Sequence, residues 1–114
     1  MSWEVEVSDE FRDWYEALDA GEQDSVTYSV DLLRFGGPDF GRPHVDVVRG
    51  SRHSNMKELR VQHRGRPWRI LFAFDPRRMA YLILAGNKTG DPRWYDVNVP
   101  IADAIYDRHL HEIE

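Results

Sequence analysis

The chain has 114 residues, 41% of them hydrophobic and 31% charged, a balance expected of one soluble globular domain spanning residues 1–114. It contains no cysteine, which excludes a disulfide scaffold, a thiol nucleophile and any metal site built on thiolates. Its net charge of −5, taken as a total, argues against a nucleic-acid partner.

Trp3-Glu4-Val5-Glu6-Val7 alternates apolar and polar residues and predicts a short strand with one buried face. Ser8 is a suitable N-cap, and Asp9 and Glu10 suit the first turn of a helix. Phe11, Trp14, Tyr15 and Leu18 then fall on one helical stripe, which Ala20-Gly21 is expected to end. A second helix is expected from about Glu22, burying Val26, Val30 and Leu33 and stopping at Phe35-Gly36-Gly37-Pro38. Together these form a helical hairpin near the N-terminus.

Residues 36–55 read as a long loop with a short strand at Val45–Val48. A loop of this length inside a small domain points to a function. Lys57–His63 alternates, with Leu59 and Val61 on one side and Glu58, Arg60 and Gln62 on the other. Arg64-Gly65-Arg66-Pro67 is a turn. Trp68–Phe74 follows, with Trp68, Ile70, Phe72 and Phe74 opposed to Arg69, Leu71 and Ala73. After the turn at Asp75-Pro76-Arg77-Arg78, the apolar run Met79–Gly86 reads as a central strand buried on both faces. Links this short make antiparallel hairpins. Asn87–Asp96 is polar, with Trp94-Tyr95 exposed by context, and Pro100 opens a last helix with Ile101, Ala104, Ile105 and Arg108 on one line. The expected fold is α+β, in the order β-α-α-β-β-β-α, with an antiparallel sheet core and a C-terminal helix.

No run approaches the length of a membrane span, and the first seven residues have neither the basic nor the apolar region of a secretory signal. A cytoplasmic protein that does not engage a membrane is expected.

The charge is unevenly placed. Residues 1–41 hold 2 basic and 11 acidic side chains, residues 42–94 hold 12 and 4, and residues 95–114 hold 1 and 5. An acidic shell therefore flanks a basic middle, which suits an anion-binding cleft with phosphate as the anion. If the turn centres on Gly65, Arg60 and Arg69 stand opposite each other on one sheet face. Two such cations need an anion. Glu58, on the same face, supplies one within the chain, and a phosphate supplies one from outside. Lys57 and Lys88 lie at strand ends and can converge on the same rim. His53, beside Arg52 in the polar loop, is the one histidine suited to acid–base work. Tyr95 is placed to protonate a leaving oxygen, and Trp94 or Tyr95 to stack on a base. The histidines lack ligand spacing, so no metal site is expected.

Met56-Lys57-Glu58-Leu59-Arg60, Trp68-Arg69-Ile70-Leu71-Phe72-Ala73-Phe74-Asp75-Pro76 and Leu84-Ala85-Gly86-Asn87-Lys88-Thr89-Gly90 resemble the HigB-like branch of the RelE toxin superfamily. Trp94-Tyr95 followed by Pro100-Ile101-Ala102-Asp103-Ala104-Ile105-Tyr106-Asp107-Arg108-His109-Leu110 is similar to the C-terminal signature of its actinobacterial-type members. The resemblance implies a RelE-like compact ribonuclease-type fold. It implies a toxin that cleaves mRNA, commonly on the ribosome, without a cofactor. It also implies a cognate helix-turn-helix antitoxin, through which operator DNA is bound and the operon repressed.

Under that reading Arg60 and Arg69 hold the scissile phosphate. Lys57 or Lys88 stabilises charge or acts as base, and Tyr95 or His53 is the acid. Arg49, Arg52, His53, Arg66 and Trp94 contact RNA. Two features depart from the family: the chain is acidic overall, so its ribosome contact falls to the middle segment, and Thr89 stands where some relatives carry a second lysine. The competing expectation is a non-catalytic relative that binds its antitoxin and modulates operon repression.

Overall fold

The structure is a computed structural model that describes residues 2–114. Among these, five strands and three helices follow in the order β1 (Val5–Val7), α1 (Asp9–Glu16), α2 (Ala20–Gly36), β2 (Val45–Val47), β3 (Lys57–His63), β4 (Arg66–Phe74), β5 (Ala80–Asn87) and α3 (Trp94–Glu112). A 3-10 turn at Gly37–Asp39 follows α2. The strands make one sheet in the order β1-β5-β4-β3-β2. No helix among the described residues is long and apolar enough to cross a membrane.

Ser8 starts α1 as expected, its Oγ accepting from the Phe11 amide at 2.9 Å. The same hydroxyl donates to the Ile83 carbonyl, which ties the helix start to β5. The second helix begins earlier than expected. The Asp19 carboxylate accepts from the Glu22 amide, and the Glu22 carboxylate accepts from the Asp19 amide. This reciprocal capping box places Ala20 and Gly21 at the start of α2, not at the end of α1.

The α1–α2 hairpin packs on one face of the sheet around Phe11, Val26, Leu33, Leu59, Ile70 and Phe72. Helix α3 packs on the other face over Met56, Leu71, Ala73, Tyr81 and Ile83. Strands β3, β4 and β5 form the antiparallel meander, and β2 adds to it antiparallel. The sheet is mixed, however, because β1 runs parallel to β5. The central place belongs to β4, with β5 between it and β1. In the β3–β4 hairpin, Arg64 and Gly65 both take positive φ, at 51° and 74°, the geometry of a two-residue turn whose twist matches the strands. His63 therefore pairs with Arg66, and Arg60 falls directly opposite Arg69.

The start and face of α3 also differ from expectation. Pro100 lies inside the helix, six residues after its first residue. The buried stripe runs through Val99, Ala102, Ile105, Tyr106 and His109, while Ile101 faces solvent. Trp94 is only 4% exposed, so the exposure expected of it is corrected. Its ring sits on Gly86 of β5, where an added Cβ would lie 2.9 Å from the indole nitrogen. A side chain at position 86 would lift the ring off the sheet.

The far end of α3 is latched to the β4–β5 turn. Asp75, fully buried, accepts from Arg77 and from His109 at 2.8 Å, and His109 stacks on Tyr81. Burial by itself would raise the Asp75 carboxyl, but the bonds from Arg77, His109 and the Met79 amide outweigh it and hold it below its ordinary value. A depressed folded value means that the latch stabilises above the unfolded aspartate value of about 3.9 and fades as pH falls below it. Asp75→Asn is expected to cost about 1.5–3 kcal/mol at pH 7. It should also flatten the loss of stability below pH 4 in urea denaturation; an acid limb as steep as the parent's would contradict the latch.

Candidate functional site

Helix α3 lies over β5 and leaves the β2–β3 side of its face uncovered. The uncovered side is a cleft of about 370 Å³ lined by Val47, Val48, Arg49, Glu58, Tyr95 and Asp96. The charged cluster that adjoins it through Glu58 follows from two features of the chain. Alternation puts Glu58 and Arg60 on the outward face of β3, and the Arg64–Gly65 turn sets Arg69 across from Arg60. The first turn of α3, seated by Trp94, then lowers Tyr95 onto the same spot.

Glu58 is the centre of the cluster. Its Oε1 accepts from the Tyr95 hydroxyl at 2.5 Å and lies 3.6 Å from Arg69 Nε. Its Oε2 accepts from Arg60 at 3.3 Å. Arg60 also donates to Asp46, which in turn accepts from Arg42. Arg69 donates from Nη1 to the Trp68 carbonyl, but its buried Nε has no hydrogen-bond partner among the described residues. A buried guanidinium with an unmet donor is costly to hold and is ready to accept a further anion. The Lys88 ammonium sits 5.3 Å from the centre of the Tyr95 ring.

Burial raises the Tyr95 phenol above its ordinary value. The Glu58 carboxylate raises it further, and Arg69 opposes both. The phenol is therefore fully protonated at neutral pH and able to donate. Asp46, on the cluster's edge, is held below its ordinary value by the Val47 amide, with Arg42 and Arg60 adding to the effect against desolvation.

Four of the residues expected from sequence thus meet or adjoin: Arg60, Arg69, Lys88 and Tyr95. Arg49 lines the same cleft with no ion-pair or side-chain hydrogen-bond partner among the described residues. The others are elsewhere. Lys57 shares its face with Leu59 and Val61, the side of α2, and its ammonium donates to the Pro38 carbonyl at 2.9 Å. An odd-numbered position cannot join Glu58 and Arg60 across the pleat. His53 bonds to Asp107 of α3 at 2.6 Å and packs edge-on against Tyr106. Arg52 pairs with the same Asp107, and its backbone amide donates to Asp103. The polar loop is therefore pinned to α3, and Arg52 and His53 are spent on that contact. Arg66 is exposed at the β3–β4 hairpin, away from the cleft. Trp94, buried under the helix, presents no free ring face to a base.

Two cleft residues escaped the sequence reading. Glu58, expected only to neutralise the arginines, also accepts from the Tyr95 hydroxyl. Asp96, next to Tyr95 in sequence, lines the cleft without a local signal that marks it. Replacing Glu58 by Gln removes the charge beside the phenol, so the Tyr95 titration should move down toward its ordinary value. Carbon-13 NMR of labelled tyrosine reads this directly, and an unmoved Tyr95 signal would contradict the contact.

Residues 13–107 match the family of phage-derived Gp49-like proteins (DUF891). The chain is 43% identical over 116 residues to a candidate toxin of Mycobacterium tuberculosis, HigB2, covering all of this chain and 57% of the relative. It is 54% identical over 91 residues to a second candidate toxin of that organism, HigB3, covering 79% of this chain and 78% of the relative. The chain thus spans little more than half the length of the first relative. The fold is similar to that of a mutant of the E. coli toxin RelE in the free state, with a TM-score of 0.60 at 10% identity, covering 89% of this chain and 99% of that one.

Proposed function

The chain belongs to the Gp49-like family and is related to HigB-type proteins, and from that premise we propose that it is the toxin of a type II toxin–antitoxin pair and an mRNA endoribonuclease that acts on the ribosome. The observation that carries this reading is the facing pair Arg60 and Arg69, gathered with Glu58 and Tyr95 on the open side of the sheet. These are the groups that cleavage by the RNA's own 2′-hydroxyl requires.

The roles follow from charge and protonation. The guanidiniums of Arg60 and Arg69 bind the non-bridging phosphate oxygens and offset the extra negative charge of the transition state. Glu58 takes the proton of the 2′-hydroxyl as that oxygen attacks phosphorus. Tyr95, protonated at neutral pH, gives its proton to the departing 5′-oxygen. The products are a 2′,3′-cyclic phosphate and a 5′-hydroxyl. Glu58 is then protonated and Tyr95 is a phenolate, and the direct bond between them returns the proton and resets the site. Lys88, over the Tyr95 ring, stabilises the phenolate.

The partners under this reading are mRNA on the ribosome and a cognate helix-turn-helix antitoxin, with operator DNA reached through the antitoxin. A second reading, a non-catalytic relative that binds antitoxin and modulates repression, is favoured by Glu58 already occupying both arginines. Induced expression in a bacterial host separates the two. Arg69→Ala or Tyr95→Phe is expected to reduce mRNA cleavage about 10²–10³-fold and to relieve growth arrest. Healthy growth with the soluble, folded parent chain and intact mRNA would leave only the second reading.

A further inference from the structure

Next to the cleft that holds Glu58 lies a smaller compartment of about 210 Å³, lined by Arg49, Gly50, Tyr95, Asp96, Val99 and Pro100. The two compartments share Arg49, Tyr95 and Asp96. Whatever fills the second one therefore lies immediately beside the atoms on which Tyr95 and Glu58 act. Val99 and Pro100 give it apolar walls. Arg49 and Asp96 give it one charge of each sign, and neither has an ion-pair or side-chain hydrogen-bond partner among the described residues.

The carboxylate is the informative group. An unpaired negative charge lining a groove for a polyanion opposes binding at any distance at which it is felt. The opposition is reversed only if the substrate brings hydrogen-bond donors to it. Single-stranded RNA can do so with the edge of an unstacked base. On the Watson–Crick edge, guanine alone sets two N–H groups side by side, N1–H and N2–H, which match the two oxygens of a carboxylate. Adenine and cytosine set a donor beside an acceptor, and uracil sets one donor between two acceptors. Arg49, on the shared wall, is placed to hold the phosphate on the far side of that nucleotide.

We propose that this compartment is a base-selecting subsite, in which Asp96 receives the N1–H and N2–H of a guanine flanking the scissile phosphate. The inference rests on the ribonuclease reading and adds its base preference. Asp96 also lies in the first turn of α3, where a carboxylate complements the helix dipole. That role affects stability and leaves base preference untouched, so preference is the property to measure.

Messenger RNA 5′ ends are mapped after induction of the parent chain and of Asp96→Asn, with the thermal midpoint of each measured alongside. The parent is expected to cut with guanine enriched about tenfold or more at one fixed position beside the cut, and Asp96→Asn to cut with that enrichment lost. In a second measurement, guanosine 3′-monophosphate is expected to bind the parent more tightly than adenosine 3′-monophosphate, with the difference abolished in Asp96→Asn. Cuts without guanine enrichment, or enrichment retained in the variant, overturn the subsite and leave the ribonuclease reading standing. No cuts by the folded parent overturn the ribonuclease reading, and equal binding of the two nucleotides then overturns the subsite as well.

Discussion

Two arginines held face to face across a pair of strands must have an anion between or beside them, and the open face of this protein is organised around that requirement. The Arg64–Gly65 turn permits one register, and in that register Arg60 and Arg69 oppose each other. Glu58 is the anion that the fold supplies. It is 5% exposed, so its desolvation is offset only because both guanidiniums and the Tyr95 hydroxyl converge on it. The same contacts fix the first turn of α3 over the sheet. Under the proposed function, a phosphate partly replaces the contacts that stabilise the free protein.

The uneven charge of the chain takes on meaning in this setting. The acidic N-terminal third forms the edge strand β1 and the helices α1 and α2, the layer on the opposite face of the sheet. From the basic middle, Arg49 lines the cleft, Arg60 and Arg69 pair with Glu58 beside it, and Lys88 lies against the Tyr95 ring. A net negative chain can thus present a locally positive site, because potential depends on placement more than on the total. Residues 51–53 of the adjoining loop, by contrast, are not free. Asp103 and Asp107 of α3 bind its Ser51, Arg52 and His53, so this part of the basic segment serves to hold the loop that carries Arg49 at the cleft rim.

What was legible in the sequence was what local rules decide. The β3–β4 pairing followed from a two-residue turn and the period of two, and Arg60 opposite Arg69 came with it. The same period places Lys57 on the other face, with Leu59 and Val61, so its absence from the cluster is legible in the sequence. The start of α2 was obscured because Ala20-Gly21 resembles a helix end, while the Asp19–Glu22 capping box that decides the matter is a subtler signal. Trp94, His53 and Arg52 were beyond local reading. Their surroundings come from Gly86 on another strand and from Asp107, 54 residues after His53, and only the assembled fold brings these together. The parallel placement of β1 beside β5 is of the same kind, because nothing near Val5–Val7 specifies a partner 75 residues away.

In the proposed function the RNA is cleaved by its own 2′-hydroxyl, with Glu58 and Tyr95 exchanging the protons and the two arginines holding the phosphate. The chemistry of the cut ends tests this most directly. Fragments of mRNA made on induction of the folded chain should carry 2′,3′-cyclic phosphate on one side of the cut, or the phosphate left when that ring opens, and 5′-hydroxyl on the other. Fragments with 3′-hydroxyl and 5′-phosphate ends would contradict it, because that outcome requires water as the nucleophile and gives Glu58 no 2′-proton to take.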